Sequence, residues 1–157
     1  MIRRHFLAFA ALFAASTAAR AAAPAAGAPT PLKLSAEEWR KRLTPQQYAV
    51  LREEATEPPG SSPLNGEKRR GTFACAGCDL PLFSSEAKYE SGTGWPSFWS
   101  PLPHALGTKT DFKLIYPRTE YHCARCGGHQ GHVFDDGPKP TGKRYCNNGV
   151  ALKFVPA

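Results

Sequence analysis

The sequence predicts a mainly β domain with short N-terminal helices, and three observations carry that prediction. Its 14 glycines and 15 prolines are scattered among apolar runs of a few residues, with aromatics at 11% of the chain. That mix suits turn-rich strands better than a helical bundle. The capping signatures for helices fall close together, ahead of residue 55. Finally, 157 residues make room for one core of ordinary size and not for two domains with a linker.

Taken in order, the chain starts with Arg3 and Arg4 before an uncharged apolar stretch, Phe6 to Ala15, and a small-residue tract, Ala18 to Ala23. This is the layout of a secretory signal, so residues 1–21 are expected to be a signal peptide, cleaved after Ala21. Arg3-Arg4-His5-Phe6-Leu7 is also similar to a twin-arginine export signal. The apolar run is shorter than the roughly 20 residues of a membrane-spanning helix, and Arg20 and Pro24 follow it, so no stable membrane anchor is expected. The expected location is periplasmic or secreted. Residues 22–34, dominated at first by Ala and Pro, read as a flexible linker, and residues 35–157 as the domain.

The formal charge of +7 falls to +4 without Arg3, Arg4 and Arg20, leaving 17 basic against 13 acidic side chains. With no basic block longer than Lys68-Arg69-Arg70, this is solubility charge and excludes a nucleic-acid footprint. No oligomerisation signal is visible, and a monomer is the expectation.

Within the domain, Ser35-Ala36-Glu37-Glu38 and Thr44-Pro45-Gln46-Gln47 have the form of capping boxes, the second with Pro at the first helical position. They predict two short helices carrying Trp39, Tyr48 and Leu51. The Pro-, Gly-, Ser- and Asn-rich segment from Glu57 to Lys68 reads as an irregular surface arm. Strands are expected over Thr72 to Cys75, Phe112 to Tyr116, Glu120 to Cys123, His132 to Phe134, Arg144 to Cys146 and Ala151 to Val155.

Cys75-Ala76-Gly77-Cys78 and Cys123-Ala124-Arg125-Cys126 form two Cys-x-x-Cys knuckles, each after a strand-like run. Four thiolates at this spacing can close a tetrahedron around one structural Zn²⁺, leaving no open position for substrate. Two disulfides are the rival account, since an exported chain meets an oxidising compartment. Zinc is the simpler account, because two such disulfides would both be reactive redox pairs.

Cys146 is the odd cysteine. It could be an inert core thiol, but Arg144 lies two residues away, on the same side of a strand, where it would stabilise a thiolate. Asn147 and Asn148 follow at once, and amides orient ligands better than they fill a core. His129 and His132 lie three residues apart across Gly131, a pattern that suits proton transfer, though surface histidines would look the same. Trp95, after two glycines in Ser91-Gly92-Thr93-Gly94-Trp95-Pro96-Ser97-Phe98-Trp99, could wall a pocket of methyl size or join the core.

Gly94-Trp95-Pro96-Ser97-Phe98, the two knuckles, His129-x-Gly-His132-Val133-Phe134, Asp136-Gly137-Pro138, Thr141-Gly142 and Arg144-Tyr145-Cys146-x-Asn148 together closely resemble the B-type methionine sulfoxide reductases, from about Leu43 to Phe154. The resemblance implies two antiparallel sheets in a compact barrel- or tent-like domain with a four-cysteine zinc staple. It also implies reduction of the R epimer of methionine sulfoxide in oxidised proteins, as repair after oxidative damage. It makes Cys146 the nucleophile and Trp95, with Phe134, the wall of the substrate pocket. His129, His132 and Asn148 would position and polarise the sulfoxide, with Asp136 and Arg144 as electrostatic support. Many relatives carry a resolving cysteine where this chain has Thr93, so the expectation is a one-cysteine enzyme, reduced by a thioredoxin-like protein or a small thiol. Gln130 and Gly149 also depart from the pattern, where an apolar residue and Ser are usual. The rival readings are a non-catalytic zinc-ribbon-like binding module, and a zinc-stabilised interaction domain in which Gln130 and Gly149 mark lost activity.

Overall fold

Ser35 and Thr44 are N-caps with complete capping boxes to Glu38 and Gln47, and they start α1 (Ala36–Arg42) and α2 (Pro45–Glu53). Trp39, Val50 and Leu51 are the buried residues of the two helices. The computed structural model describes residues 27–157, so the expected signal peptide and residues 22–26 of the linker lie outside the described residues. Contacts with the domain begin before Ser35: the Leu32 amide donates to the Arg125 carbonyl at 2.7 Å, and Leu32 and Leu34 pack against the core. Among the described residues no helix is long and apolar enough to cross a membrane.

Nine strands follow: β1 (Gly71–Cys75), β2 (Pro81–Ser84), β3 (Lys88–Tyr89), β4 (Ser97–Phe98), β5 (Leu106–Asp111), β6 (Arg118–Cys123), β7 (His129–Phe134), β8 (Arg144–Asn147) and β9 (Leu152–Pro156). They form a three-stranded sheet, β2-β1-β9, and a six-stranded sheet, β3-β4-β8-β7-β6-β5, with antiparallel pairings throughout. The mainly β, two-sheet fold is as expected.

Aromatic side chains join the sheets. Phe73 of β1 and Phe83 of β2 are fully buried against Phe98 of β4, with ring centroids 5.0 and 4.2 Å away. Tyr121 and Tyr145 extend the cluster along the larger sheet, their rings 5.4 Å apart. This places the core on one face of the six-stranded sheet. Because side chains alternate across a strand, the other face carries the residues opposed in register at Ser97, Cys146, His132 and Glu120.

Two expectations are corrected. Phe112 to Tyr116 is not a strand but the exposed tip joining β5 to β6. Its residues have high strand propensity, but the Asp111 carboxylate accepts the Lys113 amide at 2.8 Å and turns the chain before they can pair. The strand itself is the more polar Leu106–Asp111, held by six register partners on β6. The segment from Glu57 to Lys68 is likewise more than a surface arm, since Glu57 and Ser62 are buried. The Glu57 carboxylate accepts from the amides of Gly149 at 2.6 Å and Val150 at 2.9 Å, tying the segment to the turn after β8.

Candidate active site

Cys146 and His132 face each other across the β7–β8 ladder, and Phe134 and Arg144 form the next same-face pair. Register alone would separate His129 from His132, because residues three apart on a regular strand point to opposite faces. A bulge on β7 restores them to one face: Tyr121 pairs with Gly131, His122 with His129, and Gln130 is the unopposed residue. The two imidazole rings consequently lie 5.5 Å apart, edge to face.

A cavity of about 130 Å³ opens beside Cys146, lined also by Trp95, Phe134, His132, Asn148, Arg118 and Thr56. Trp95 is fixed by its indole N–H, which donates to the Glu57 carbonyl at 3.1 Å. Gly131 lies in the floor, where a Cβ would stand 1.9 Å from the Cys146 carbonyl oxygen, so only glycine lets β7 and β8 approach.

Of the residues singled out from the sequence, the fold brings Cys146, Trp95, Phe134, His132 and Asn148 together at the cavity. His129, Asp136 and Arg144 do not line it, although Arg144 acts on the Cys146 thiol directly. Arg144 donates twice to Asp136, each bond 2.8 Å, and stacks over the Phe134 ring at 4.4 Å. Asn148 is a brace, accepting from the Glu57 amide and donating to the Gln130 carbonyl, both at 3.0 Å.

Sequence reasoning missed the carboxylates that hold the histidines. Asp111 meets His132 Nε2 at 2.7 Å, and Glu120 meets His129 Nδ1 at 2.7 Å. Such a contact fixes the imidazole ring and its tautomer. The His129 Nε2, buried, has no protein partner among the described residues. Arg118 also bonds Asp111, at 2.6 Å. A buried acid on a strand otherwise rich in Tyr, Thr and His was the available signal for Glu120; Asp111 lay in a strand that was not foreseen.

Burial and neighbours set the protonation states. Burial pushes the Cys146 thiol up from its ordinary value, while Thr93, whose hydroxyl lies 3.9 Å from Sγ, and Arg144 pull it down without overcoming that rise. The His132 imidazole is lowered by burial, with Asp111 opposing. Burial raises the Glu120 carboxyl, but His122 and His129 outweigh it and bring it down to about 2. The Lys113 amide, with His132 and Arg118, holds the Asp111 carboxyl well below the usual carboxylate range.

Cys75, Cys78, Cys123 and Cys126 converge elsewhere, all four sulfurs within 4.8 Å of one another and none disulfide-bonded. Cys75 and Cys126 are 3.7 Å apart and Cys78 and Cys123 3.4 Å. Tetrahedral sulfurs about 2.3 Å from one zinc ion stand about 3.8 Å from each other, so the donor set fits a metal ion and not two disulfides.

Gln130 and Gly149 each have a structural use. Gln130 is fully buried, donating to Cys75 Sγ at 3.4 Å and accepting from Asn147 Nδ2 at 3.4 Å, so it links the four-cysteine cluster and the cavity. At Gly149 a Cβ would come within 2.0 Å of the Ser62 hydroxyl. Neither position reads as decay.

Residues 43–156 match the family model of the SelR domain. The chain belongs to this family, that of the MsrB methionine sulfoxide reductases. It is 53% identical over 121 residues to peptide methionine sulfoxide reductase MsrB of Methanosarcina barkeri, covering 76% of this chain and 85% of that protein. The MsrB of Leptospira interrogans is 50% identical over 121 residues, with 76% and 92% covered. The chloroplastic peptide methionine sulfoxide reductase B1 of Arabidopsis thaliana is 51% identical over 122 residues, and the match spans 77% of this chain and 60% of that protein. The resemblance read from the motifs is borne out, and as an MsrB the chain is an oxidoreductase.

Proposed function

We propose that this chain, once exported, reduces the R epimer of methionine sulfoxide in peptides and damaged proteins, with Cys146 as nucleophile and an external thiol as reductant. The observation that carries the reading is the single small cavity shared by a thiol, an imidazole and two apolar rings. Trp95 and Phe134 offer a wall for the sulfoxide methyl group, and His132 offers the polar side for its oxygen. Family membership supports the choice of epimer, and the N-terminal sequence supports export.

In the reaction the Cys146 thiolate attacks the sulfoxide sulfur while an acid protonates the oxygen. The sulfoxide S–O bond breaks; its sulfur gains two electrons and leaves as the thioether, and Cys146 takes the oxygen as a sulfenic acid. His132 is the proposed proton donor in its doubly protonated form, which the Asp111 carboxylate on Nε2 favours against burial, because it lines the cavity and His129 does not. With Thr93 opposite the sulfur, no second thiol in the cavity resolves the sulfenic acid. A thioredoxin-like protein or a small thiol therefore attacks it, releasing water and forming a mixed disulfide that a second thiol opens. The four clustered cysteines would hold zinc, which with a filled thiolate shell supplies structural closure and no reacting position.

The test is incubation of the zinc-replete protein with peptides carrying resolved R- and S-methionine sulfoxide and dithiothreitol, beside Cys146→Ser. Loss of the R form alone, abolished by the substitution, is expected. A folded protein that turns over neither epimer overturns the reading and returns attention to a binding module.

A further inference from the structure

We propose that the exposed apolar tip between β5 and β6 docks the apolar polypeptide segment on either side of the methionine sulfoxide being reduced. The inference rests on the reductase activity proposed above. Phe112, Leu114, Ile115 and Tyr116 are 75%, 46%, 106% and 62% exposed, so four large apolar side chains stand in water within five consecutive residues. Only Val155 joins them as an exposed large hydrophobic among the described residues. Such a concentration on a domain with a well-filled core marks a contact surface.

The tip is tied to the cavity at three points. At one stem, Asp111 holds His132; at the other, Arg118 lines the cavity and bonds Asp111. From the side, Lys113 pairs with Glu54 at 2.7 Å, two residues before Thr56, which also lines the cavity. Both stems of the apolar tip therefore reach the rim of the substrate opening, which sets the tip beside it in the chain.

Chemistry selects the occupant. A cavity of about 130 Å³ admits the end of one side chain, so the rest of the substrate chain lies outside on the rim. Methionine is among the residues most often buried, and a chain segment buried in a core carries further apolar residues close by in sequence, as a continuous run or at the period of its element. A sulfoxide that reaches this cavity from a damaged core therefore arrives on an extended segment with apolar side chains. At about 3.3 Å per residue, a few flanking residues suffice to meet the tip. An anionic membrane is disfavoured as partner, since it needs free cations and Lys113 is already paired with Glu54.

The test compares the zinc-loaded full chain with its Phe112→Ser/Ile115→Ser double variant on three substrates. These are a blocked single methionine sulfoxide, a peptide with Leu, Val and Phe flanking the sulfoxide, and the same peptide with Ser and Gly flanks. Neither residue contributes to the core, so thermal melting should match and confirm equal folding. The expected result is a rise in KM of about tenfold for the apolar peptide alone, the effect of losing one or two apolar anchors. Equal loss on all three substrates, or no change on any, overturns the proposal. So does loss of binding to phosphatidylserine vesicles with peptide kinetics unchanged, which would make the tip a membrane contact. Failure of the parent protein on all three substrates overturns the reductase reading itself.

Discussion

Burial raises the Cys146 thiol while Thr93 and Arg144 lower it, so its reactivity rests on a balance that a single substitution can tilt. Alkylation by iodoacetamide in the zinc-loaded protein should accelerate steadily as pH rises through 8 and beyond, because the folded thiol ionises above its ordinary value. Arg144→Met removes a stabilising charge and should move that midpoint higher, slowing alkylation at pH 7 by about three- to tenfold. Fast, pH-independent alkylation in either protein would refute this electrostatic account. At this scale the sequence was informative wherever a motif kept residues within a few positions of one another, as with His132, Phe134, Cys146 and Asn148. It was silent on Thr56, Asp111, Arg118 and Glu120, because the residues they meet stand on other elements and no local spacing records a tertiary contact.

Strand β7 shows why one element has to be irregular for the site to exist. Its bulge at Gln130 turns His129 to the face of His132, and the missing side chain at Gly131 lets the Cys146 carbonyl come close. Gly131→Ala would set a methyl group 1.9 Å from that oxygen, and backbone on both sides leaves little room to yield. The β7–β8 ladder should then open locally, costing more than about 2 kcal/mol of stability, with turnover falling further than the midpoint predicts. Urea unfolding checks the first and peptide reduction the second; an unchanged midpoint would mean the ladder relaxes freely. The helices were legible because their capping boxes are local hydrogen-bond devices, whereas β5 was not. Leu-Gly-Thr-Lys-Thr-Asp lacks an apolar alternation, and what makes it a strand is six partners on β6 rather than its own composition.

The four-cysteine cluster ties the whole molecule together through topology. Cys75 ends β1 in the three-stranded sheet and Cys123 ends β6 in the six-stranded one, so a single ion held by the four thiolates would fasten both sheets at one end. Arg125 donates to the Cys78 carbonyl at 3.2 Å, Arg52 of α2 to the Cys126 carbonyl at 3.0 Å, and Gln130 carries the contact from Cys75 to Asn147, next to the nucleophile. Structural zinc in such a shell contributes on the order of 10 kcal/mol, comparable with the whole stability of a small domain. Chelation at neutral pH should therefore abolish the cooperative thermal transition and the near-ultraviolet signal of the aromatic cluster, and peptide reduction should disappear with them. Because the metal takes no part in the chemistry proposed, added zinc should restore folding and activity in the same proportion. A metal-free protein that keeps its aromatic signal but loses turnover would instead place the ion's influence along the Gln130 contact, and Gln130→Leu in the zinc-loaded protein should then reproduce that loss.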